Sequence, residues 1–319
     1  MMKIEEIEAV TVIGAGVMGS GIAQHFAQAG YTVRLHARNA ETLAAARDRI
    51  AKNQELMVEA GLLSASAAAQ ALSRIQTTTD LEAAATDAQF VNESAPEDLD
   101  LKRRIFAALD RSTPPEAILS TNTSGLSITA IAAATTRPER VVGLHWMNPP
   151  HLMPPVEVTR GAQTSAVVVD LTCDLVRRIG RIPIRVEKDV PGFLWNRLQF
   201  ALIREAVHLI EEGIASPEAV DLAVTAGLGL RWATVGPMRI MDLAGIQTFH
   251  AIAAYLYPEL SAAKEPQRSL SEKVTRGHTG ARTGQGFYGY PPGAHEATIA
   301  RRDAKLFALL KLRAQGWDS

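Results

Sequence analysis

The segment Gly14-Ala15-Gly16-Val17-Met18-Gly19 constrains this chain more than any other, because of what flanks it. Ala9 to Ile13 is a short, β-branched apolar run that ends at the first glycine. Met18 to Ala29 then has helical spacing, and Tyr31 to His36 reads as a second strand behind Gly30. Strand, glycine turn, helix and strand make one βαβ unit. In that setting the glycines have separate tasks. Gly14 permits a sharp turn, Gly16 lets backbone approach a pyrophosphate, and Gly19 lets the helix pack on the strand. The unpaired N–H groups at the start of the helix, around Gly16, Val17 and Met18, would face the phosphates. The pattern is weak evidence by itself, and its position between strand and helix is what makes it informative.

A dinucleotide site that prefers NAD usually carries Asp or Glu about 20 residues further on, bonded to the ribose hydroxyls. This chain has Ala37 there, followed by Arg38 and Asn39. A guanidinium beside a neutral residue suits a 2′-phosphate, which a carboxylate would repel. The cofactor expected is therefore NADP(H) in preference to NAD(H).

The chain of 319 residues is long for one core, so two domains are expected. Helical composition from Ala40 to Ala71, broken around Gly61 to Ser64, precedes strand-like runs at Gln89 to Asn92, Ala117 to Ser120 and Val141 to His145. Leu101 to Leu109 reads as an intervening helix. That alternation predicts an α/β fold with a Rossmann-type, doubly wound sheet. Pro154 to Val158 and Ile182 to Val186 would extend the sheet in another direction. After Asp189-Val190-Pro191-Gly192-Phe193 the strand signal fades, and Leu194 to Glu212, Pro217 to Ala226, Met238 to Tyr257 and Ala294 to Arg313 read as helices. The expected division is a dinucleotide-binding domain over 1–188 and a smaller all-helical domain over 189–319.

Lys and Arg number 33 against 34 Asp and Glu, a net charge of −1. No sustained basic field favours nucleic acid or a membrane surface, and a small-molecule substrate is the expected partner. The acidic start, Ile4 to Glu8, is unlike a signal peptide, and no apolar run is long enough to cross a bilayer, which points to the cytoplasm. The single cysteine, Cys173, lies in an amphipathic stretch and reads as a buried thiol.

Oxidation of a secondary alcohol by a nicotinamide needs a base to take the hydroxyl proton. Of the eight histidines, His145 is best placed, at the end of a strand of the nucleotide-binding sheet. Glu157 follows after a proline-rich bend that can return the chain, and a carboxylate on the far imidazole nitrogen would fix the tautomer and raise basicity. His151 lies close to His145 in sequence, but Pro149 and Pro150 intervene and no pattern completes a metal site.

Four segments, Asn92-Glu93-Ser94 with Lys102, Ser120 to Ser124, Gly143-Leu144-His145-Trp146-Met147-Asn148-Pro149-Pro150, and Pro191 to Arg197, occur in an order that resembles the 3-hydroxyacyl-CoA dehydrogenase family. The resemblance extends to about Tyr290 and implies that His145 and Glu157 are the catalytic pair. It also implies that Ser124 and Asn196 bind the reacting oxygen, where their hydrogen bonds would stabilise developing charge. Glu93 and Lys102 match positions near the nicotinamide ribose. Trp146 and Trp195 adjoin the implied site and read either as an aromatic pocket wall or as packing.

Two departures bear on substrate. Only Lys52 stands between Ala40 and Leu72, where relatives acting on acyl-CoA commonly carry lysines. Gly227 to Ala233, with Gly236-Pro237 and Asn148 to His151, looks more like the L-gulonate 3-dehydrogenase (lambda-crystallin) and carnitine dehydrogenase branch. Arg231 offers a fork to a free carboxylate. The expected activity is hydride transfer to or from a small carboxylate-bearing hydroxy or oxo compound, with a short-chain 3-hydroxyacyl-CoA as the alternative. A pyridine-carboxylate dehydrogenase acting on an aldehyde and alcohol shares the pattern. A structural, crystallin-like protein without turnover is the alternative of another class. The apolar content of the helical domain, and the association of relatives through it, imply a homodimer.

Overall fold

The computed structural model describes residues 3–317. Its centre is one sheet of eight strands in the order β3-β2-β1-β4-β5-β6-β7-β8. In chain order these are β1 Ala9–Ile13, β2 Thr32–His36, β3 Ile75–Thr78, β4 Phe90–Glu93, β5 Ile118–Thr121, β6 Val141–Trp146, β7 Pro155–Thr159 and β8 Ile182–Val186. The first six run parallel. β7 turns antiparallel to β6, and β8 is parallel to β7, so the proline-rich segment redirects the sheet as its sequence suggested. The polar strand β3, Ile-Gln-Thr-Thr, has no apolar run to mark it. It is legible only as an edge, where one neighbour suffices and most side chains face solvent.

Helices α1 Val17–Gln28, α2 Ala40–Glu59, α3 Ala65–Ser73, α4 Leu81–Ala85, α5 Leu99–Ser112, α6 Ile128–Ala132 and α7 Ala166–Arg178 cover the sheet. Six of them start on a side-chain cap: Asn39, Ser64, Asp80, Asp98, Ser127 and Ser165 each accept a bond from an N–H in the first turn. One apolar layer packs under α1, α2, α3 and α7 and a second under α4, α5 and α6, and both close over fully buried strand residues such as Val12, Leu35, Val91 and Leu144. Cys173 is buried on α7.

The chain divides into two compact units, Met1–Arg197 and Leu198–Ser319. The division falls within α8 Trp195–Glu211, whose first turn is held by the sheet unit through Glu157. The second unit continues with α9 Pro217–Leu222, α10 Gly229–Ala244, α11 Ile246–Leu256, α12 Arg268–Thr275 and α13 Ala294–Leu312. The helix expected from Met238 to Tyr257 is interrupted at Gly245, whose φ of 91° an L side chain resists. α10 itself kinks at Gly236, before Pro237. Among the described residues no helix is long and apolar enough to cross a membrane.

Candidate active site

The glycine turn closes the first unit's nucleotide cleft by contact rather than by flexibility. Gly14 has φ 100°, and a Cβ there would stand 2.5 Å from the Ser94 carbonyl oxygen. A Cβ on Gly19 would stand 1.7 Å from the Gly14 carbonyl oxygen, so only hydrogen lets α1 seat on β1. Around Gly16 nothing lies within 4 Å of such an atom, which leaves open space at the N-terminus of α1. That space joins a cleft of about 410 Å³ lined by Gly14 to Met18, His36 to Asn39, Thr42, Ser94 to Pro96, Leu101 and Ile105. Open backbone at a helix start above apolar walls fits a dinucleotide's pyrophosphate and base.

No carboxylate lines this cleft. Arg38 is exposed at its edge, and Asn39 spends its side-chain oxygen capping α2 through Thr42 N, at 2.9 Å, which leaves its amide N–H groups. His36 closes the strand beneath them, and burial of its ring holds its pKa below the ordinary value.

At the other end of the parallel sheet, β6 and β7 place His145 and Glu157 directly opposite each other. His145 Nδ1 and Glu157 Oε2 are 2.7 Å apart. The carboxylate is fully buried, and its other oxygen accepts the N–H groups of Leu194, at 3.0 Å, and Trp195, at 2.7 Å. An anion at the start of the 17-residue α8 satisfies two of the donors a helix start leaves unpaired and is stabilised by its dipole. One glutamate thus fixes the imidazole and the first turn of α8 together. The turn before it is strained, with Gly192 at φ 78° and Phe193 at φ 47°, and it sets the Phe193 and Trp195 rings 5.8 and 5.5 Å from the His145 ring.

Asn196, one residue into α8, donates from Nδ2 to the Ser124 carbonyl at 2.8 Å. His145, Glu157, Ser124 and Asn196 are therefore brought into one cluster, with the Ser124 side chain exposed. Glu97, which the sequence reading passed over, holds the Ser124 loop. Its Oε1 accepts from Thr123 Oγ1 at 2.5 Å, Ser124 N at 2.9 Å and Gly125 N at 3.2 Å. The signal available for it was its place between Glu93 and Lys102, two residues already singled out.

Three expectations need correction or relocation. Glu93 and Lys102 do not face the cleft: both side chains are wholly buried as an ion pair of 2.7 Å, and Glu93 also accepts from Ala95 N and Thr121 Oγ1. They brace the loop that carries Glu97, because a charge buried this deeply needs its partner rather than a ligand. Trp146 is core, not pocket wall. Strand alternation sends it to the face opposite His145, where it packs on Phe26 and His25 and donates Nε1–H to Asn92. Arg231 lies exposed on α10, in the second unit. Among the described residues no group of three His, Cys, Asp or Glu could hold a metal.

Residues 9–190 match the 3-hydroxyacyl-CoA dehydrogenase NAD binding domain and residues 192–290 the C-terminal domain of the same family. The chain is 34% identical over 306 residues to 5-formyl-3-hydroxy-2-methylpyridine 4-carboxylate 5-dehydrogenase of Mesorhizobium japonicum, covering 96% of this chain and 98% of the other. It is 38% identical over 286 residues to a probable 3-hydroxybutyryl-CoA dehydrogenase of Bacillus subtilis, covering 89% and 98%. It is 41% identical over 241 residues to L-carnitine dehydrogenase of Streptomyces griseus, covering 76% and 71%. A solved structure of the pyridine-carboxylate enzyme, described as an NAD+ dependent dismutase, superposes with a TM-score of 0.89 at 34% identity over 96% of this chain and 98% of that one. The chain belongs to the 3-hydroxyacyl-CoA dehydrogenase family of oxidoreductases.

Proposed function

We propose that the protein transfers a hydride between a nicotinamide dinucleotide and the carbinol or carbonyl carbon of a small, carboxylate-bearing hydroxy or oxo compound. The observation that carries this reading is the 2.7 Å pair of His145 and Glu157, opposite each other on β6 and β7. With Nδ1–H held by the carboxylate, His145 Nε2 is left to take the hydroxyl proton in oxidation and to return it in reduction. Ser124 and the second N–H of Asn196 stand in the same cluster to donate to the substrate oxygen as charge develops on it. The dinucleotide, when bound, supplies the hydride acceptor or donor. Gly14, Gly16, Val17, Met18 and Gly19 would hold its pyrophosphate.

Arg38 and Asn39 favour NADP(H), since a cleft without a carboxylate offers nothing to repel a 2′-phosphate and the start of α2 faces it. The choice of free acid over thioester rests on α2. Lys52 is its single lysine, Arg47 donates to the Ile75 carbonyl and Arg49 to Ser20 Oγ, so the helix presents little cationic surface to a CoA phosphate. The likeness to a 3-hydroxybutyryl-CoA dehydrogenase over 98% of its length keeps the thioester as the second reading. The helical unit supports a homodimer: among its described residues only Val207 and Ile240 are buried apolar side chains, while Leu198, Phe200, Met238 and Leu243 are each more than 60% exposed.

The test is dinucleotide-linked turnover on free 3-hydroxy and 3-oxo acids, pyridine-carboxylate alcohols and aldehydes, and acetoacetyl-CoA, with His145→Gln in parallel. Turnover on the free carboxylates that His145→Gln abolishes is the expected result. Turnover on the thioester alone assigns the second reading, and unaltered turnover in His145→Gln overturns the dyad.

A further inference from the structure

Arg181, in the turn between α7 and β8, is 8% exposed, and among the described residues no carboxylate lies within ion-pair distance of it. A guanidinium buried without an anion is costly, and burial pulls its pKa down to about 10. Its Nε–H is buried without a partner among the described residues, and its two terminal nitrogens turn to one segment. Nη1 donates to the Leu152 carbonyl at 3.4 Å, and Nη2 to the carbonyls of Pro150 at 3.1 Å and His151 at 2.9 Å. This segment is the bend joining β6 to β7, in which the N–H groups of Leu152 and Met153 close a turn on the Pro149 carbonyl, at 3.0 Å each, while the guanidinium takes the three carbonyls that follow.

The same Nη2 meets His25 Nδ1 at 3.0 Å, and His25 Nε2 lies 2.8 Å from the Ile179 carbonyl. A carbonyl only accepts, so Nε2 carries the proton and Nδ1 receives the guanidinium. His25 sits on α1, the helix that opens at the nucleotide cleft. Pro150 itself presses on α1, where a Cβ on Gly21 would stand 2.6 Å from its Cγ. Three pieces of the first unit therefore meet at one cation: the cofactor helix, the bend, and the strand that borders β7.

We propose that Arg181, oriented by His25, is a positioning residue that fixes the bend between β6 and β7 and thereby the alignment of His145 with Glu157. β6 and β7 share a ladder of four residue pairs, and the bend sets where that ladder closes at its His145 end. Displacement of the bend lengthens the 2.7 Å bond and leaves the imidazole free to turn. The proposal rests on the His145–Glu157 reading but not on the substrate.

Its deciding readout needs neither substrate nor cofactor. In the full-length protein the downfield proton resonance of the His145 Nδ1–H bond is identified by its loss in His145→Gln. It is then followed in Arg181→Met, Arg181→Lys and His25→Phe. Arg181→Met is expected to shift or broaden the resonance, lower kcat at least about tenfold, and leave dinucleotide affinity, read by fluorescence titration, within about twofold. Arg181→Lys, which reaches one carbonyl, is expected to recover part of both. Should Arg181→Met fail to fold, the lysine and His25→Phe variants carry the same expectation. An unchanged resonance in folded variants overturns the proposal, whether or not kcat falls, because any loss would then not run through the dyad. If His145→Gln keeps full turnover while the Arg181 variants still move the resonance, the proposed function fails and the clamp stands.

Discussion

At the residue scale the site is governed by how few partners each buried charge has. Glu157 serves His145 with one oxygen and two backbone N–H groups with the other, so it cannot lose either oxygen cheaply. Glu157→Gln replaces one acceptor by a donor, which must then face either an N–H of α8 or the imidazole. Turnover should fall at least about a hundredfold, the scale of general acid–base catalysis, measured as kcat under saturating substrate. A fall below threefold, roughly 0.7 kcal/mol, would mean that the carboxylate only packs. Arg38 makes a separate prediction, because among the described residues it has no protein partner to lose. Arg38→Ala should lower kcat/KM for NADPH by roughly tenfold to a hundredfold, the worth of a charge-assisted hydrogen bond, and leave that for NADH almost unchanged. Equal effects on both would remove Arg38 from cofactor choice.

At the scale of elements, the contact between β1 and α1 separates two glycines that the motif treats alike. Gly19→Ala drives a methyl into the Gly14 carbonyl and should cost on the order of 3 kcal/mol, seen as a lower thermal midpoint without any ligand. Gly16→Ala meets no protein atom and should cost about 1 kcal/mol as a poorer cap, yet weaken dinucleotide binding by tenfold or so. Calorimetry and titration on the two variants would expose an inverted order. The same scale shows what periodicity missed. Gly245 breaks a helix whose apolar spacing runs on through it, and the polar edge β3 joins the sheet without an apolar signature.

For the whole molecule, acid sensitivity follows from histidines kept neutral. Burial, and next the Arg181 cation, hold His25 well below its ordinary 6.5, and burial holds His36 below the same value. Above pH 6.5 both are neutral folded or unfolded, so they add no pH dependence there. Below it the unfolded chain takes up protons that the folded chain refuses. Stability should fall with pH from about 6.5 downwards, by about 1.4 kcal/mol per pH unit for each fully linked histidine. Urea midpoints between pH 7.5 and 5 test this, and His25→Phe should flatten the slope. A flat wild-type profile would contradict it. The open apolar surface of the helical unit predicts a dimer by light scattering at micromolar concentration, and Leu198→Glu/Phe200→Glu should weaken it at least about a hundredfold, two lost side chains per copy. A monomeric wild type would contradict the assembly.

Much of the unit-scale organisation was written in local pattern. The glycine turn, the alternation of strands with helices and the helical remainder after Phe193 each depend on near neighbours in sequence, and so does the cap that Asn39 gives α2. The pairing of His145 with Glu157 was legible because a short bend limits where the chain can return. The burial of Glu93 and Lys102, the face on which Trp146 lies, the hold of Glu97 on the Ser124 loop and the meeting of Arg181 with His25 were not. Each joins segments distant in sequence, and a residue type does not reveal whether its charge or ring turns inward until the opposing surface exists. Sequence by itself determined the framework and the kinds of chemistry available, because backbone propensity and periodicity are local. Tertiary structure alone decided which side chains those were, because burial and hydrogen-bond partners are properties of the packed chain.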